Sequence, residues 1–246
     1  MHTLKYGTTS INYILYTENR NDLKISVTLV NGVEVYAPES LHETKLHELL
    51  LNKAPWITRK IKELNQVEIS TQKKEFVSGE KLPYLGRNYR LKVHREHIAQ
   101  ARLSFYQGRF IANVPNNWHQ YQIQETLEEQ LIRWYRKQGG KKLQERVTYY
   151  QSLLNVHPTS VHLRTQHKRW GTCTPVGDIY INWRLVMAPM KVLDYVIVHE
   201  LAHLVVQDHS AEFWKIVKSV LPDYDLRKEW LRINGMTLYC IGGKKR

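Results

Sequence analysis

The C-terminal half of this chain is organised around one stretch, Val196–Trp214, which reads VIVHELAHLVVQDHSAEFW. The positions from Val192 to Val205 are apolar on nearly every side, a pattern that predicts a helix buried all round. His199, Glu200 and His203 interrupt that pattern. A buried polar group without a partner costs on the order of 1–3 kcal/mol, so these three side chains need partners inside the protein.

The spacing of the histidines indicates a metal site. Residues four apart lie on one helical face, so His199 and His203 point the same way and their imidazoles can bind one cation. Glu200 lies about 100° around the helix from His199, where its carboxylate reaches a water on the metal instead of the metal itself. Catalytic zinc has three protein ligands and one open position, and His209 is the expected third ligand.

His209 can join the other two histidines only if the helix ends before it. In a continuous helix His209 would lie about 15 Å along the axis from His199. We therefore expect a helix from Pro189 to about Val206, a turn, and a second helix that begins after Ser210, a residue type favoured at helix N-termini.

Two alternatives to an open zinc site remain. The histidines and Glu200 could form a buried network of hydrogen bonds. The metal could also be structural, with four protein ligands, and Cys173 is then the nearby candidate for the fourth. Zn²⁺ is the expected cofactor, although imidazole also suits nickel, cobalt and iron.

Composition limits the partners and the compartment. The 246 residues carry a formal net charge of +13, so nucleic acid or a nucleotide is a candidate partner, although the basic residues are scattered and form no recognisable motif. Only two cysteines occur, which favours a reducing cytoplasm without a disulfide framework. No secretory signal, membrane span or internal repeat is apparent, and the sequence leaves the oligomeric state open.

The remaining patterns predict an α+β protein with a boundary near residue 115. Residues 1–115 form a β-rich region with helices, in which Asn31-Gly32 marks a hairpin and Pro55 is expected to break or kink a helix. Residues 116–246 form the second domain. It opens with a helix from about Trp118, and Gly139-Gly140 is expected to weaken the middle of that helix.

Several residues are candidates for contact with the substrate or the ligands. The segment DIYINWRL is expected to form an edge strand that holds an extended substrate. Asn182 and Arg184 fall on one face of that strand. Together with Arg169 they are the candidate substrate-binding residues. The alternative role for Asn182 and Arg184 is to tie loops to the sheet through hydrogen bonds. Asp178 and Asp194 are candidates for orienting ligand histidines.

Three motifs resemble one known family. They are KRWGTCTPVGDIYINWRLVMAP, LDYVIVHELAHLVVQDHSAEFWKIV and PDYDLRKEWL, and together they are similar to the YgjP-like metallopeptidases, which are related to the WLM and SprT-like zinc peptidases. The resemblance implies a zincin-type C-terminal domain with a buried HExxH helix. It also implies that His199, His203 and His209 hold zinc and that Glu200 is the catalytic acid and base.

The expected function is therefore zinc-dependent hydrolysis of peptides or proteins. One alternative is a metal-dependent nucleoside triphosphate pyrophosphatase, in which Arg169 and Arg184 would clamp phosphates. The non-enzymatic alternative is a nucleic-acid-binding module with structural zinc.

Overall fold

The computed structural model describes residues 2–7, 9–19, 21–28, 32–65, 74–166 and 169–242. These residues form a mixed α+β protein in which five α-helices accompany three small sheets. The chain divides into two compact units, Met1–Ile69 and Ser70–Arg246. The predicted boundary near residue 115 lies inside the second unit, because the strands that precede it share a core with the helices that follow it.

The first unit is a four-stranded sheet with one helix. Its elements are β1 (His2–Tyr6), β2 (Thr9–Glu18), β3 (Lys24–Thr28), β4 (Gly32–Pro38) and α1 (Glu43–Asn65). β3 and β4 pair antiparallel as predicted, although Asn31 of the predicted turn lies outside the described residues. The helix does not break at Pro55, since α1 is continuous through it. Leu50, Ala54 and Ile57 are buried in the core of this unit on both sides of the proline, and that packing holds the helix together.

The second unit contains two sheets and four helices within its described residues. Its elements are β5 (Lys81–Tyr84), β6 (Arg87–Glu96), β7 (Arg102–Tyr106), β8 (Arg109–Pro115), α2 (Gln120–Leu154), β9 (Ser160–Arg164), β10 (Gly171–Cys173), β11 (Asp178–Asn182), α3 (Met190–Ala202), α4 (Ala211–Val220) and α5 (Tyr224–Asn234). Short 3₁₀ helices follow β11 and α5, at Trp183–Met187 and Gly235–Cys240. No helix in the described part of the chain is both long and apolar enough to cross a membrane.

The two units repeat one arrangement of strands. The sheet orders are β1-β2-β4-β3 and β5-β6-β8-β7; in both sheets the central pair is parallel, the outer pairs are antiparallel and a helix follows. Buried apolar residues of the first unit have buried apolar counterparts 77 residues later in the second unit, as Val33 has in Phe110. The other coincident pairs are Val35 with Ala112, Ala37 with Val114, Leu46 with Ile123 and Leu50 with Leu127. The expectation of no internal repeat is therefore wrong. The repeat was not visible in the sequence because corresponding positions are both apolar but are occupied by different residue types.

Helix α2 runs through its paired glycines without a break, contrary to the expected weakness. A Cβ on Gly139 would lie 3.2 Å from Leu163 Cδ1 and 3.4 Å from Val186 Cβ, whereas Gly140 faces open space. Gly139 therefore lets the helix approach β9 and the 3₁₀ helix closely, and this packing compensates for the low helix propensity of glycine.

The three-stranded sheet that precedes α3 differs from the prediction. Its order is β10-β11-β9, so β11 is the central strand and β10 lies at an edge. The strand predicted over DIYINWRL ends at Asn182, and the chain continues as a 3₁₀ helix whose side chains are buried. The edge strands are therefore β9 and β10, of which β10 (Gly171–Cys173) lies against Glu200.

Candidate metal centre

One helix and the loop that follows it bring three histidines together. His199 lies in the last turn of α3, and His203 is the C-cap residue of that helix. The helix ends four residues before the predicted end, because the amides of Leu204 and Val205 turn back to carbonyls of the preceding turn. His209 lies on the loop between α3 and α4. The turn that was predicted between His203 and His209 therefore begins immediately after His203.

The loop that carries His209 is held by local hydrogen bonds. The side-chain amide of Gln207 donates through Nε2 to the carbonyl of His203 at 3.1 Å, and the carboxylate of Asp208 accepts from the backbone amide of Ser210 at 3.1 Å. Ser210 is the N-cap residue of α4, but its side chain makes no capping hydrogen bond. Asp208 thus shapes the turn into α4 that was predicted at Ser210.

The geometry of the three rings fits a metal ion. One nitrogen from each of His199, His203 and His209 lies within 4.8 Å of the others. The Nε2 atoms of His199 and His209 are 3.1 Å apart. Two nitrogens bound to one tetrahedral zinc lie about 3.3 Å apart, given zinc–nitrogen distances of about 2.0–2.1 Å. Among the described residues, no fourth histidine, cysteine, aspartate or glutamate belongs to the cluster.

The rings are oriented by neighbouring groups. His203 Nδ1 lies 3.1 Å from the carbonyl oxygen of Val206, which favours a proton on Nδ1 and leaves Nε2 as the ligand atom. Phe213 is fully buried, and its ring centroid lies 4.6 Å from that of His203 and 4.9 Å from that of His199. Trp214 stacks on His209 at 5.8 Å. These aromatic contacts were not predicted from the sequence, although Phe213 and Trp214 follow His209 closely in the chain.

Burial favours the neutral imidazole at His199 and His209. It lowers the pKa of His199 to about 3, with further lowering by His203, His209 and Lys228. The pKa of His209 is lowered by the same kind of desolvation and by His203. Neutral imidazoles offer the lone pairs that a cation needs, so the donor set matches a divalent metal in chemistry as well as in geometry.

Glu200 follows His199 in α3, and its side chain lies against the edge strand β10. Its side chain is 5% exposed, and burial raises its pKa to about 7, although the backbone amide of Cys173 and the charge of Arg169 oppose that rise. A Cβ on Gly171 would lie 2.6 Å from Glu200 Cγ and 2.7 Å from its Cδ. Gly171, in the motif RWGTC, therefore provides the space for the carboxylate, a role that the sequence reading did not assign.

The candidate substrate-binding residues do not form one surface. Asn182 is fully buried and donates to the carbonyls of Gln166 at 2.8 Å and Arg169 at 3.2 Å. Arg184 is 1% exposed; its guanidinium lies 4.7 Å from the rings of both Trp183 and Tyr239 and donates to the carbonyl of Gly242. These contacts correspond to the alternative role of tying segments together, because side chains buried in this way are not accessible to a substrate.

Arg169 differs from Asn182 and Arg184, since its side chain is exposed and its charge lowers the pKa of Glu200.

The two aspartates that were expected to orient histidines contact other residues. Asp178 accepts from the hydroxyl of Ser160 at 2.6 Å, and Asp194 pairs with Arg146 of α2 through hydrogen bonds of 2.6 and 3.0 Å. Asp194 therefore joins α3 to α2 instead of positioning a ligand.

Comparison with known proteins identifies the family. The family model described as YgjP-like, metallopeptidase domain, matches residues 21–234. No curated protein matches the chain. Three solved chains match, among them the crystal structure of the metallopeptidase zymogen abylysin of Pyrococcus abyssi, at 21% identity over 38% of this chain and 92% of that one, with a TM-score of 0.35. Because the family model matches most of the length of this chain, the chain belongs to the YgjP-like family and contains a metallopeptidase domain of that family.

Proposed function

We propose that the protein is a zinc-dependent metallopeptidase of zincin type, in which His199, His203 and His209 hold the metal and Glu200 is the general base. The observation that carries this proposal is the convergence of three imidazoles, whose ligand atoms lie within 4.8 Å of one another, on a helix end that also carries the buried carboxylate of Glu200. The family match supports the same class of reaction.

The chemistry is divided between the cation and the protein. When bound, a divalent cation lowers the pKa of a water and polarises the scissile carbonyl. Glu200 accepts a proton from the attacking water and returns it to the nitrogen of the leaving amine. Its position against Gly171 and the hydrogen bond from the Cys173 amide restrict the carboxylate to one location, so the base is oriented before the substrate arrives.

The edge strand favours an extended peptide as the substrate. β10 pairs with β11 on one side, and within the described residues its other side has no strand partner. A peptide that added to this edge would place its backbone beside Glu200, which lies against Gly171. The Gly171–Cys173 strand thus takes the role that the sequence reading gave to DIYINWRL.

The same observations disfavour the two alternatives. The pyrophosphatase hypothesis needs Arg184 at the phosphates, and its guanidinium is buried against Trp183 and Tyr239. The structural-zinc hypothesis needs a fourth protein ligand. Cys173 is not part of the cluster, and no other described residue supplies that ligand.

The experiment compares metal content with peptide cleavage. The purified protein should contain about one zinc per chain by elemental analysis. His199→Ala, His203→Ala and His209→Ala should each lose both the metal and the cleavage of an unfolded protein such as casein. Glu200→Gln should keep the metal and lose cleavage. His97→Ala, at an exposed position outside the cluster, is the matched control and should change neither. Cleavage by Glu200→Gln at the wild-type rate would refute the assignment of the base.

A further inference from the structure

A groove in the first unit lies between the edge strand β3 and the helix α1. Its volume is about 610 Å³. Apolar side chains form part of its lining, and exposed polar and cationic side chains of α1 form the rest. The lining residues are Leu23, Ile25, Leu49, Asn52, Lys53, Pro55, Trp56 and Arg59.

The structural repeat shows that this groove is particular to the first unit. At the corresponding place in the second unit, Gln130 of α2 donates to the carbonyl of Ala101 at 2.7 Å and links the helix to the start of β7. By the common spacing and strand register, Gln130 corresponds to Lys53 and Ala101 corresponds to Leu23. In the first unit these two positions line an open groove instead of bridging it.

The edge of the sheet beside the groove suits an extended chain. β3 is the last strand in the order β1-β2-β4-β3, and within the described residues it pairs only with β4. A strand added to β3 would lie about 4.8 Å from it, with alternate side chains directed to the same side as Ile25. Main-chain hydrogen bonds would then supply affinity, and the apolar lining would select side chains.

The charges at the groove favour acidic side chains. Lys53 and Arg59 both line it and are exposed, and no lining residue is acidic. The attraction is local, because residues 1–69 contain eight lysines and arginines and eight aspartates and glutamates, and so have no formal net charge. A general polyanion site would be expected to have a surplus of positive charge.

We propose that the groove between β3 and α1 binds an extended, acidic peptide segment of another protein by strand addition to β3. Apolar residues of that segment lie against Ile25 and Trp56, and its carboxylates pair with Lys53 and Arg59. The site is separate from the metal centre and does not depend on the proposed peptidase activity.

The test uses the full chain with Glu200→Gln, so that a bound peptide is not cleaved. The probes are two fluorescein-labelled peptides long enough to form a strand of about six residues. One alternates valine with glutamate, and the other alternates valine with lysine. Fluorescence anisotropy should give a micromolar Kd for the acidic peptide and binding at least about tenfold weaker for the basic peptide. Hydrogen exchange at the backbone amides of β3 should slow when the acidic peptide binds.

Charge reversal at the groove supplies the matched comparison. Lys53→Glu with Arg59→Glu should raise the Kd of the acidic peptide by about tenfold or more. Lys5→Glu with Lys45→Glu changes the net charge equally at exposed residues that do not line the groove, and should leave the Kd unchanged.

Four outcomes would overturn the proposal. They are equal affinity for the two peptides, no effect of the groove variant, binding of a single-stranded oligonucleotide that the groove variant abolishes, and a concentration-dependent dimer that the same variant dissociates. The third outcome would assign the groove to a polyanion and the fourth to a second copy of the chain.

Discussion

Gly171 and Glu200 occupy adjacent positions that leave no room for a side chain at residue 171. A Cβ there would lie 2.6 Å from Glu200 Cγ, which is closer than real Cβ contacts occur. Gly171 does not have a positive φ, so the strand conformation itself would accept another residue. The glycine is required by the position of the carboxylate.

Gly171→Ala should therefore displace Glu200 and reduce kcat. General base catalysis contributes about 10²–10⁴-fold, so we expect a loss of about 100-fold or more. Metal content should stay at the wild-type level, since the three atoms nearest to the new methyl group all belong to Glu200 and none to a histidine. Steady-state kinetics paired with elemental analysis measure both quantities. Unchanged kcat would show that Glu200 can act from another position.

The paired glycines of α2 should respond in opposite ways to alanine. Gly140→Ala should raise the free energy of unfolding by about 0.5–1 kcal/mol, because alanine favours the helix and nothing lies within 4 Å of the added Cβ. At Gly139 the added methyl group would press on Leu163 and Val186, so that variant should be no more stable than wild type. Urea denaturation of the two variants side by side measures the difference. Equal stabilisation would mean that the contact between α2 and β9 adjusts freely.

The ion pair between Arg146 and Asp194 should matter for stability and not for the metal. Asp194 is 7% exposed and accepts two hydrogen bonds from the guanidinium. Asp194→Asn should lower the free energy of unfolding by about 3 kcal/mol, because breaking a buried pair leaves the other charge uncompensated. Zinc content of the folded variant should be unchanged.

An exposed ion pair on α2, the helix that carries Arg146, provides the control for Asp194→Asn. Glu145 pairs with Lys142 at an exposed position, so Glu145→Gln should not shift the denaturation midpoint. Loss of zinc in Asp194→Asn would restore the hypothesis that this aspartate orients a ligand.

Phe213 should influence metal affinity through the rings that it contacts. Phe213→Leu removes the aromatic surface against His199 and His203, and we expect the metal affinity to fall by about tenfold, as is usual when the support of ligand residues is lost. Competition with a chromogenic chelator measures the affinity. Phe110→Leu is the matched control, since Phe110 is equally buried but contacts Phe105 and Trp134. The two variants should lose similar stability, and a similar loss of metal affinity in both would argue against a specific role for Phe213.

The proposed ligand set could be predicted from the sequence because it is encoded locally. The four-residue spacing of His199 and His203 defines a shared helical face, and the need for a third ligand required a turn before His209. The antiparallel pair of β3 and β4 and most of the helices were likewise predicted, since turn residues and apolar periodicity act over a few residues. The end of α3 was less predictable, because it depends on how the last turn closes around Leu204 and Val205.

What escaped prediction depends on contacts between distant segments. The strand order that makes β10 an edge, the burial of Arg184 against Tyr239, and the pairing of Asp194 with Arg146 each join residues far apart in the chain. The structural repeat was equally hidden, because packing preserves where apolar residues lie and leaves their identities free to vary.

The sequence by itself thus determined the candidate metal-binding chemistry, since the residue types and their helical spacing are properties of a short segment. Only the tertiary structure decided which side chains surround that chemistry. Gly171 receives its role from Glu200, and Arg184 loses its predicted role to Trp183 and Tyr239. The physical reason is that burial and close contact arise when separate segments meet, and no spacing within one segment specifies that meeting.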